Sequence, residues 1–309
     1  MKVGLTVLII LIWSSACAQD FDRVDATVLK YPKQFSKSTN LSKRINDDFM
    51  TDSNKARAVY TWMINNIAYS FEDTTTIGDL YNYHRLAFVK PVANYVLNRR
   101  ATICAGCACL YKQLCTEVGV KCFYVTGYAR NDFDSLLTNK EAEHAWNIVV
   151  LNNKKYLVDA TWGAGTYNKK FKRDTTYHYF LTKPYVFLRN HYAALVADRL
   201  IGYDIKWQEF NSQPFYFSNS AQRFIQLIYP KTFKLNGGEK YVFKLYNKLN
   251  EAIYSYALDD APLETIDVVK EGRFDVFNLA LKATDKVEDL IIYMNNEALL
   301  GFKIVPKKK

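Results

Sequence analysis

Two apolar runs, His144 to Val150 and Lys155 to Thr161, meet at Asn152-Asn153. Asparagine tolerates the left-handed backbone that a two-residue hairpin turn requires, so the pair predicts an antiparallel hairpin with one register. In that register Trp146 faces Asp159 and His144 faces Thr161. Side chains alternate along strands, so His144, Trp146, Asp159 and Thr161 share one side of the sheet. His144 and Asp159 become diagonal neighbours, about 7–8 Å apart at Cα and within reach of an imidazole and a carboxylate. A slip of one residue would send them to opposite faces.

Upstream, the pattern is helical. Val59, Trp62, Met63 and Ile67 recur at helical spacing within Lys55 to Tyr69, behind an Asp52-Ser53-Asn54 capping cluster. Residues 20–50 read as loop plus a short helix, residues 70–90 as turn, and 92–98 as another short helix. Cys104, Ala108, Tyr111, Cys115 and Val118 lie on one face of a further helix that Gly119 ends. Lys121 to Tyr128 reads as a strand, and Asn131 to Glu143 as a polar loop. Beyond Pro184 the periodicity weakens, and a linker is expected near Asn211-Ser-Gln-Pro214 and Asn219-Ser220. From about residue 230 short β-rich runs recur: Lys240–Tyr246, Ala252–Ala257, Thr265–Val269, Arg273–Leu281, Asp289–Met294 and Leu299–Val305, with a turn at Asn236-Gly-Gly238. That texture predicts a small Ig-like β-sandwich.

The amino terminus reads as an export signal. Lys2 precedes an apolar run, Val3 to Trp13, too short to span a bilayer, and Ala16-Cys17-Ala18 offers a small-residue cleavage site before Gln19. The competing reading makes Cys17 a lipidated first residue, but a lipobox wants Leu where Ser14 stands. The expected organisation is a signal peptide over 1–18, an enzymatic domain over 19–215 and a sandwich over 222–309. The mature chain is then exported: periplasmic, secreted or surface-attached. Lys and Arg outnumber Asp and Glu by 41 to 31, spread along the chain. This predicts a solvated basic surface, with an anionic wall polymer or membrane surface as the alternative. No nucleic-acid module is recognisable.

Chemistry concentrates where five of the six cysteines cluster, at Cys104, Cys107, Cys109, Cys115 and Cys122. A disulfide framework would spread its cysteines more widely. Cys104 opens the predicted helix directly after Arg99-Arg100, where free backbone N–H groups and the positive dipole end stabilise a thiolate. A lone cysteine there is more often buried and inert. Adding His144 and Asp159 alters that balance: His144 takes the thiol proton, and Asp159 orients the ring and stabilises its cation. Cys104 and Cys107 also form a C-x-x-C pair, which allows a thiol–disulfide enzyme or a redox switch that consumes the nucleophile. Against the switch stands Cys107 as simple packing. A zinc site from Cys104, Cys107, Cys109 and a histidine lacks a second ligand pair. No cofactor and no metal is expected. His84, His178 and His191 read as surface or satisfied residues, and Trp62, Trp146 and Trp162 as core aromatics, the latter two flanking the site.

In order, Lys55 to Tyr69, Cys104-Ala-Gly-Cys-Ala108, Gly119-Val120, Val125-Thr-Gly-Tyr-Ala-Arg130, His144-Ala-Trp-Asn147 and Val158-Asp-Ala-Thr-Trp-Gly163 resemble the transglutaminase-like superfamily. The branch they most resemble includes the kyphoscoliosis peptidase and secreted bacterial proteins, and the likeness covers roughly residues 40–190. The resemblance implies an α+β, papain-like core, a nucleophile helix packed on an antiparallel sheet, with nucleophile, base and orienting acid at Cys104, His144 and Asp159. It further implies acyl transfer on protein or peptide amides, as peptidase, amidase or transglutaminase. A non-catalytic surface- or wall-binding module on the same fold is the alternative. Cys107 stands where the family usually has an aromatic residue. Tyr179 to Pro184 fits the branch, whereas Tyr192 to Lys206 fits it poorly, which touches the substrate cleft rather than the triad.

Overall fold

The computed structural model describes residues 21–307 except 73, 85–86, 132, 134–142, 218–224, 250 and 260, together with the side chains of 83 and 84. Residues 1–18, with the expected signal and Cys17, lie outside the described residues. No described helix is long and apolar enough to cross a membrane.

The first part is helical: α1 (Phe21–Val28), α2 (Ser38–Asp48), α3 (Asp52–Asn66), strand β1 (Ala68–Tyr69), α4 (Thr74–His84), α5 (Val89–Arg99), strand β2 (Ala101–Thr102) and α6 (Cys104–Glu117). Helix α3 begins slightly earlier than expected, because Thr51 supplies the cap and accepts the Asn54 N–H. Where one short helix was expected, residues 21–50 hold two. The stretch expected as turn holds α4, with a helix-weakening glycine, Gly78, in its interior.

Helix α6 lies at the centre of this part. Cys107 to Tyr111, Leu114 and Cys115 are buried almost all round, so its expected single apolar face understates its burial. Gly106 is what lets α6 sit so close to β2. A Cβ there would lie 2.0 Å from Thr102 Oγ1 and 2.9 Å from Val96 Cγ2. β2 in turn pairs in parallel with β1, Tyr69 opposite Thr102.

A sheet then covers α6. Its strands are β3 (Cys122–Ala129), β4 (His144–Leu151), β5 (Lys154–Val158), β8 (Phe180–Thr182) and β9 (His191–Ala193), ordered β8-β5-β4-β3-β9 and all antiparallel. Between β5 and β8 lie α7 (Ala160–Ala164) and a hairpin of β6 (Gly165–Asn168) and β7 (Lys170–Arg173); α8 (Pro184–Phe187) precedes β9. The β4–β5 register is the one expected, with Asn147 opposite Val158, and Asn152 and Asn153 both carry positive φ, 50° and 60°. The ladder stops there, however. Asp159 leaves the strand to cap α7, so the expected strand to Thr161 ends at Val158. Asn147, buried on the helix side of β4, donates to Ala108 O of α6 at 3.0 Å and Phe123 O at 3.1 Å, pinning the helix to the sheet.

After α9 (Trp207–Asn211) the chain is all β: β10 (Phe215–Tyr216), β11 (Ile225–Tyr229), β12 (Lys234–Asn236), β13 (Lys240–Asn247), β14 (Tyr254–Leu258), β15 (Glu264–Thr265), β16 (Val269–Glu271), β17 (Phe274–Ala280), β18 (Glu288–Met294) and β19 (Glu297–Val305). One sheet runs β10-β19-β18-β14-β15, with β12 parallel to β19; the other runs β11-β13-β17-β16. Inward residues of both share one core, where the Phe243 and Phe302 rings meet at 5.4 Å. This is the sandwich geometry that alternating strands predict.

Two buried arginines join the parts. Arg130, just after β3, donates to Gln213 O at 2.8 Å and lies over the rings of Phe215 and Phe233. Arg189 donates to Ile225 O at 2.8 Å and lies over Tyr216. β10 itself pairs with β19, Phe215 opposite Gly301.

Candidate active site

Cys104 is the first residue of α6, and Ile103 before it supplies no side-chain cap. The helix start therefore has no side-chain cap competing for its first N–H groups, and its positive dipole end favours an anion there. Cys104 is half-buried and its Sγ lies 4.0 Å from Glu143 O. Burial would raise the thiol pKa, but the neighbouring His144 and the Ala145 N–H lower it below the ordinary thiol value.

His144, at the start of β4, is buried between partners. Its Nε2 meets Asp159 Oδ2 at 2.7 Å, which leaves Nδ1 to face the Cys104 sulfur with which the ring hydrogen-bonds. Burial disfavours its charge. Asp159 on one side and Cys104 on the other overcome this and raise its pKa to about 10. A lowered thiol beside a raised imidazole is the direction that favours a thiolate–imidazolium pair.

Asp159 is fully buried. Oδ1 accepts the Thr161 and Trp162 N–H groups at 2.8 and 3.0 Å, the cap of α7. Burial alone would favour the protonated acid. His144 and His191 reverse that and hold the carboxyl well below its usual range. Sequence, register and cap thus bring Cys104, His144 and Asp159 into one line, Asp159 reaching His144 from a helix cap rather than from a strand.

One residue of the site escaped the sequence reading. His191 opens β9, opposite Ala129 of β3, and its Nε2 lies 3.1 Å from the same Asp159 Oδ2. Burial pushes its pKa down to about 4 despite Asp159, so the ring is neutral. A carboxylate only accepts, so the proton of neutral His191 sits on Nε2 and is donated. Phe187 stacks on it at 4.0 Å and Trp162 packs at 4.4 Å. Trp146 is buried beside His144, 5.8 Å between ring centroids. His178, by contrast, lines a separate cleft of about 490 Å³ with Arg57 and Tyr177 that contains none of these groups. The side chain of His84 lies outside the described residues.

His144, Asp159 and His191 also have ligand chemistry suited to a metal, with donor atoms within 4.8 Å of one another. Here both Nε2 atoms are engaged by one carboxylate oxygen instead. Of the cysteines considered for zinc, Cys104 faces His144, whereas Cys107 is buried against the Thr161 hydroxyl, its pKa pushed up to about 12 chiefly by burial, and Cys109 is also buried. All five described cysteines are free thiols.

Residues 39–160 match the model of the transglutaminase-like superfamily. Residues 39–160 are thus similar to that superfamily. The chain is 25% identical over 298 residues to a human protein named kyphoscoliosis peptidase, covering 87% of this chain and 43% of that one. It is 31% identical over 180 residues to its mouse namesake, covering 56% and 25%. The chain thus spans less than half the length of these relatives. Among solved structures it is similar to one described as a TGase, at 18% identity, 53% of this chain, 37% of that one, and a TM-score of 0.29. His191 lies beyond the matched superfamily region.

Proposed function

We propose that this protein is an exported cysteine acyl-transfer enzyme acting on protein or peptide amides through Cys104, His144 and Asp159. The observation that carries this reading is the charge arrangement: a thiol with lowered pKa touching an imidazole raised to about 10, which a buried carboxylate holds from behind. A buried structural cysteine has the opposite signature, as Cys107 illustrates.

In the first half-reaction the Cys104 thiolate attacks the amide carbonyl carbon. The C–N bond breaks, the amine leaves with the proton from His144, and a thioester remains on Cys104. The Cys104 backbone N–H at the uncapped helix start would stabilise the oxyanion. Now neutral, His144 takes a proton from water or from a second amine, which attacks the thioester and restores the thiolate. Water gives peptidase or amidase activity, and an amine gives cross-linking. Asp159 remains ionised throughout and fixes the ring.

The test is mass spectrometry of candidate surface proteins and peptides incubated with the protein and a labelled primary amine. Label on glutamine or hydrolysed product, absent with Cys104→Ala, supports acyl transfer. A Cys104 that resists small alkylating reagents below the free-thiol pKa of about 8.5 would overturn it in favour of a non-catalytic module.

A further inference from the structure

The sandwich holds a knot of polar side chains that the chemistry of Cys104 does not use. Asp275 of β17 alternates inward with Phe277 and Leu279 and is fully buried. Its Oδ2 accepts the Asn247 amide of β13 at 2.7 Å and the Tyr254 hydroxyl at 2.8 Å, the latter from β14 in the opposite sheet. Its Oδ1 meets Lys270, the residue directly across on the edge strand β16, with Nζ at 2.5 Å. Two other lysine–carboxylate contacts of the sandwich are equally close. Lys244 donates to Glu271 at 2.7 Å and Lys303 to Asp289 at 2.6 Å, both aligned hydrogen bonds between partly exposed groups. The third pair differs. Asp275 Oδ1 has no hydrogen-bond partner among the described residues, so Lys270 Nζ touches it off the hydrogen-bonding direction.

We propose that Lys270 and Asp275 condense into an intramolecular amide, a covalent bond that staples the edge strand β16 to β17. The step needs no co-reactant. A proton passes from the Lys270 ammonium to Oδ1, and the freed amine attacks Cγ. The Nζ–Cγ bond forms, the Cγ–Oδ1 bond breaks, and Oδ1 leaves as water with two of the three ammonium protons. The third stays on the amide nitrogen. Oδ2 remains as the amide oxygen, and the Asn247 and Tyr254 donors stabilise the negative charge it gathers in the tetrahedral intermediate. The β16–β17 register holds amine and carboxyl in contact, which makes a slow condensation intramolecular. The product is neutral, so the cost of holding a carboxylate out of water disappears. The Lys270 side chain is 46% exposed, which gives the departing water an exit. The bond also secures an exposed edge strand that is short and paired on one side alone. It lies in the sandwich and is independent of the function proposed for Cys104.

The experiment is mass spectrometry of the full-length protein, denatured after purification. The chain should be lighter by one water than the sequence from its own amino terminus requires. Trypsin should then fail to cut after Lys270 and release a branched peptide joining residues 249–273 to 274–282, in which fragmentation reads two amino termini. Lys270→Arg keeps the positive charge at a partly exposed position but supplies no lysine amine, so this variant should carry its full mass. A water loss that persists in Lys270→Arg, as a succinimide would give, overturns the bond. Tyr254→Phe, with circular dichroism unchanged, should slow the loss of water in freshly refolded protein by about tenfold or more, the scale on which one oxyanion donor acts. An unchanged rate in that variant overturns the assigned role of the polar knot. Full wild-type mass after prolonged incubation at neutral pH overturns the proposal and leaves Lys270 and Asp275 as an ion pair.

Discussion

His191 gives the sharpest test of how the site holds its charge. It donates one hydrogen bond to Asp159 Oδ2, at 3.1 Å, in a pocket from which water is excluded. A hydrogen bond to a charged group contributes about 1.5–3 kcal/mol. If all of it were transmitted through Asp159 to the thiolate–imidazolium pair, loss would slow thiolate chemistry by at most about 10- to 100-fold, at 1.4 kcal/mol per decade. Two replacements separate donation from packing. His191→Gln keeps a donor but loses the ring that stacks on Phe187. His191→Phe keeps a stacking ring but removes the donor. The assay is the rate of Cys104 alkylation by iodoacetamide from pH 5 to 9, read by peptide mass spectrometry, with thermal unfolding alongside. The expected order is wild type, then Gln, then Phe, with the Phe variant losing reactivity mainly at the acid end. An alkylation profile unmoved in Phe, or damaged more in Gln than in Phe, would refute the electrostatic role and leave His191 as a packing residue.

Other outcomes follow from the same geometry. Cys104→Ala and His144→Ala should each abolish acyl transfer, while Asp159→Asn keeps a trace, measured as amine incorporation. The thiolate–imidazolium pair exists above the lowered Cys104 pKa and below the His144 pKa of about 10, so alkylation should begin well below the ordinary thiol range. In His144→Ala only the Ala145 N–H still opposes burial, and the onset should move to higher pH than in the wild type. Gly106→Ala should destabilise the fold by about 1–3 kcal/mol, because its Cβ would meet Thr102 Oγ1 at 2.0 Å; chemical denaturation reads this, and Thr102→Ala should restore part. Arg130→Met should lower the unfolding midpoint by stranding the Gln213 and Pro214 carbonyls. Amino-terminal sequencing of the exported protein should begin at Gln19; a lipidated Cys17 would refute simple cleavage.

What could be read in advance was whatever is local or periodic. Asn152-Asn153 announced both the turn and the β4–β5 register, since both residues must take left-handed backbone. Cys104 was readable because Gly119 and the spacing from Ala108 to Val118 marked its helix. Asp159 was placed correctly beside His144 but in the wrong element. The signal was there, an Asp followed by Thr161 and Trp162 whose N–H groups it caps, yet apolar alternation through Leu157 and Val158 favoured continuing the strand. His191 was illegible for a different reason. It meets Asp159 only because β9 crosses to the far edge of the sheet beside β3, a pairing between distant segments that no local pattern specifies. Helix α4 was missed because Gly78 and a polar run weaken its periodicity.

Asp159 divides its two oxygens between different tasks, one holding the start of α7 and the other holding two histidines. Selection on folding would therefore preserve this aspartate in descendants that had abandoned chemistry altogether. Cys104, half-buried at the first turn of α6, caps no helix and carries no such protection. Among kindred sequences an intact aspartate is thus a poor marker of a working enzyme. Decay to a binding module should be recorded first at position 104, with the acid persisting behind a silent site.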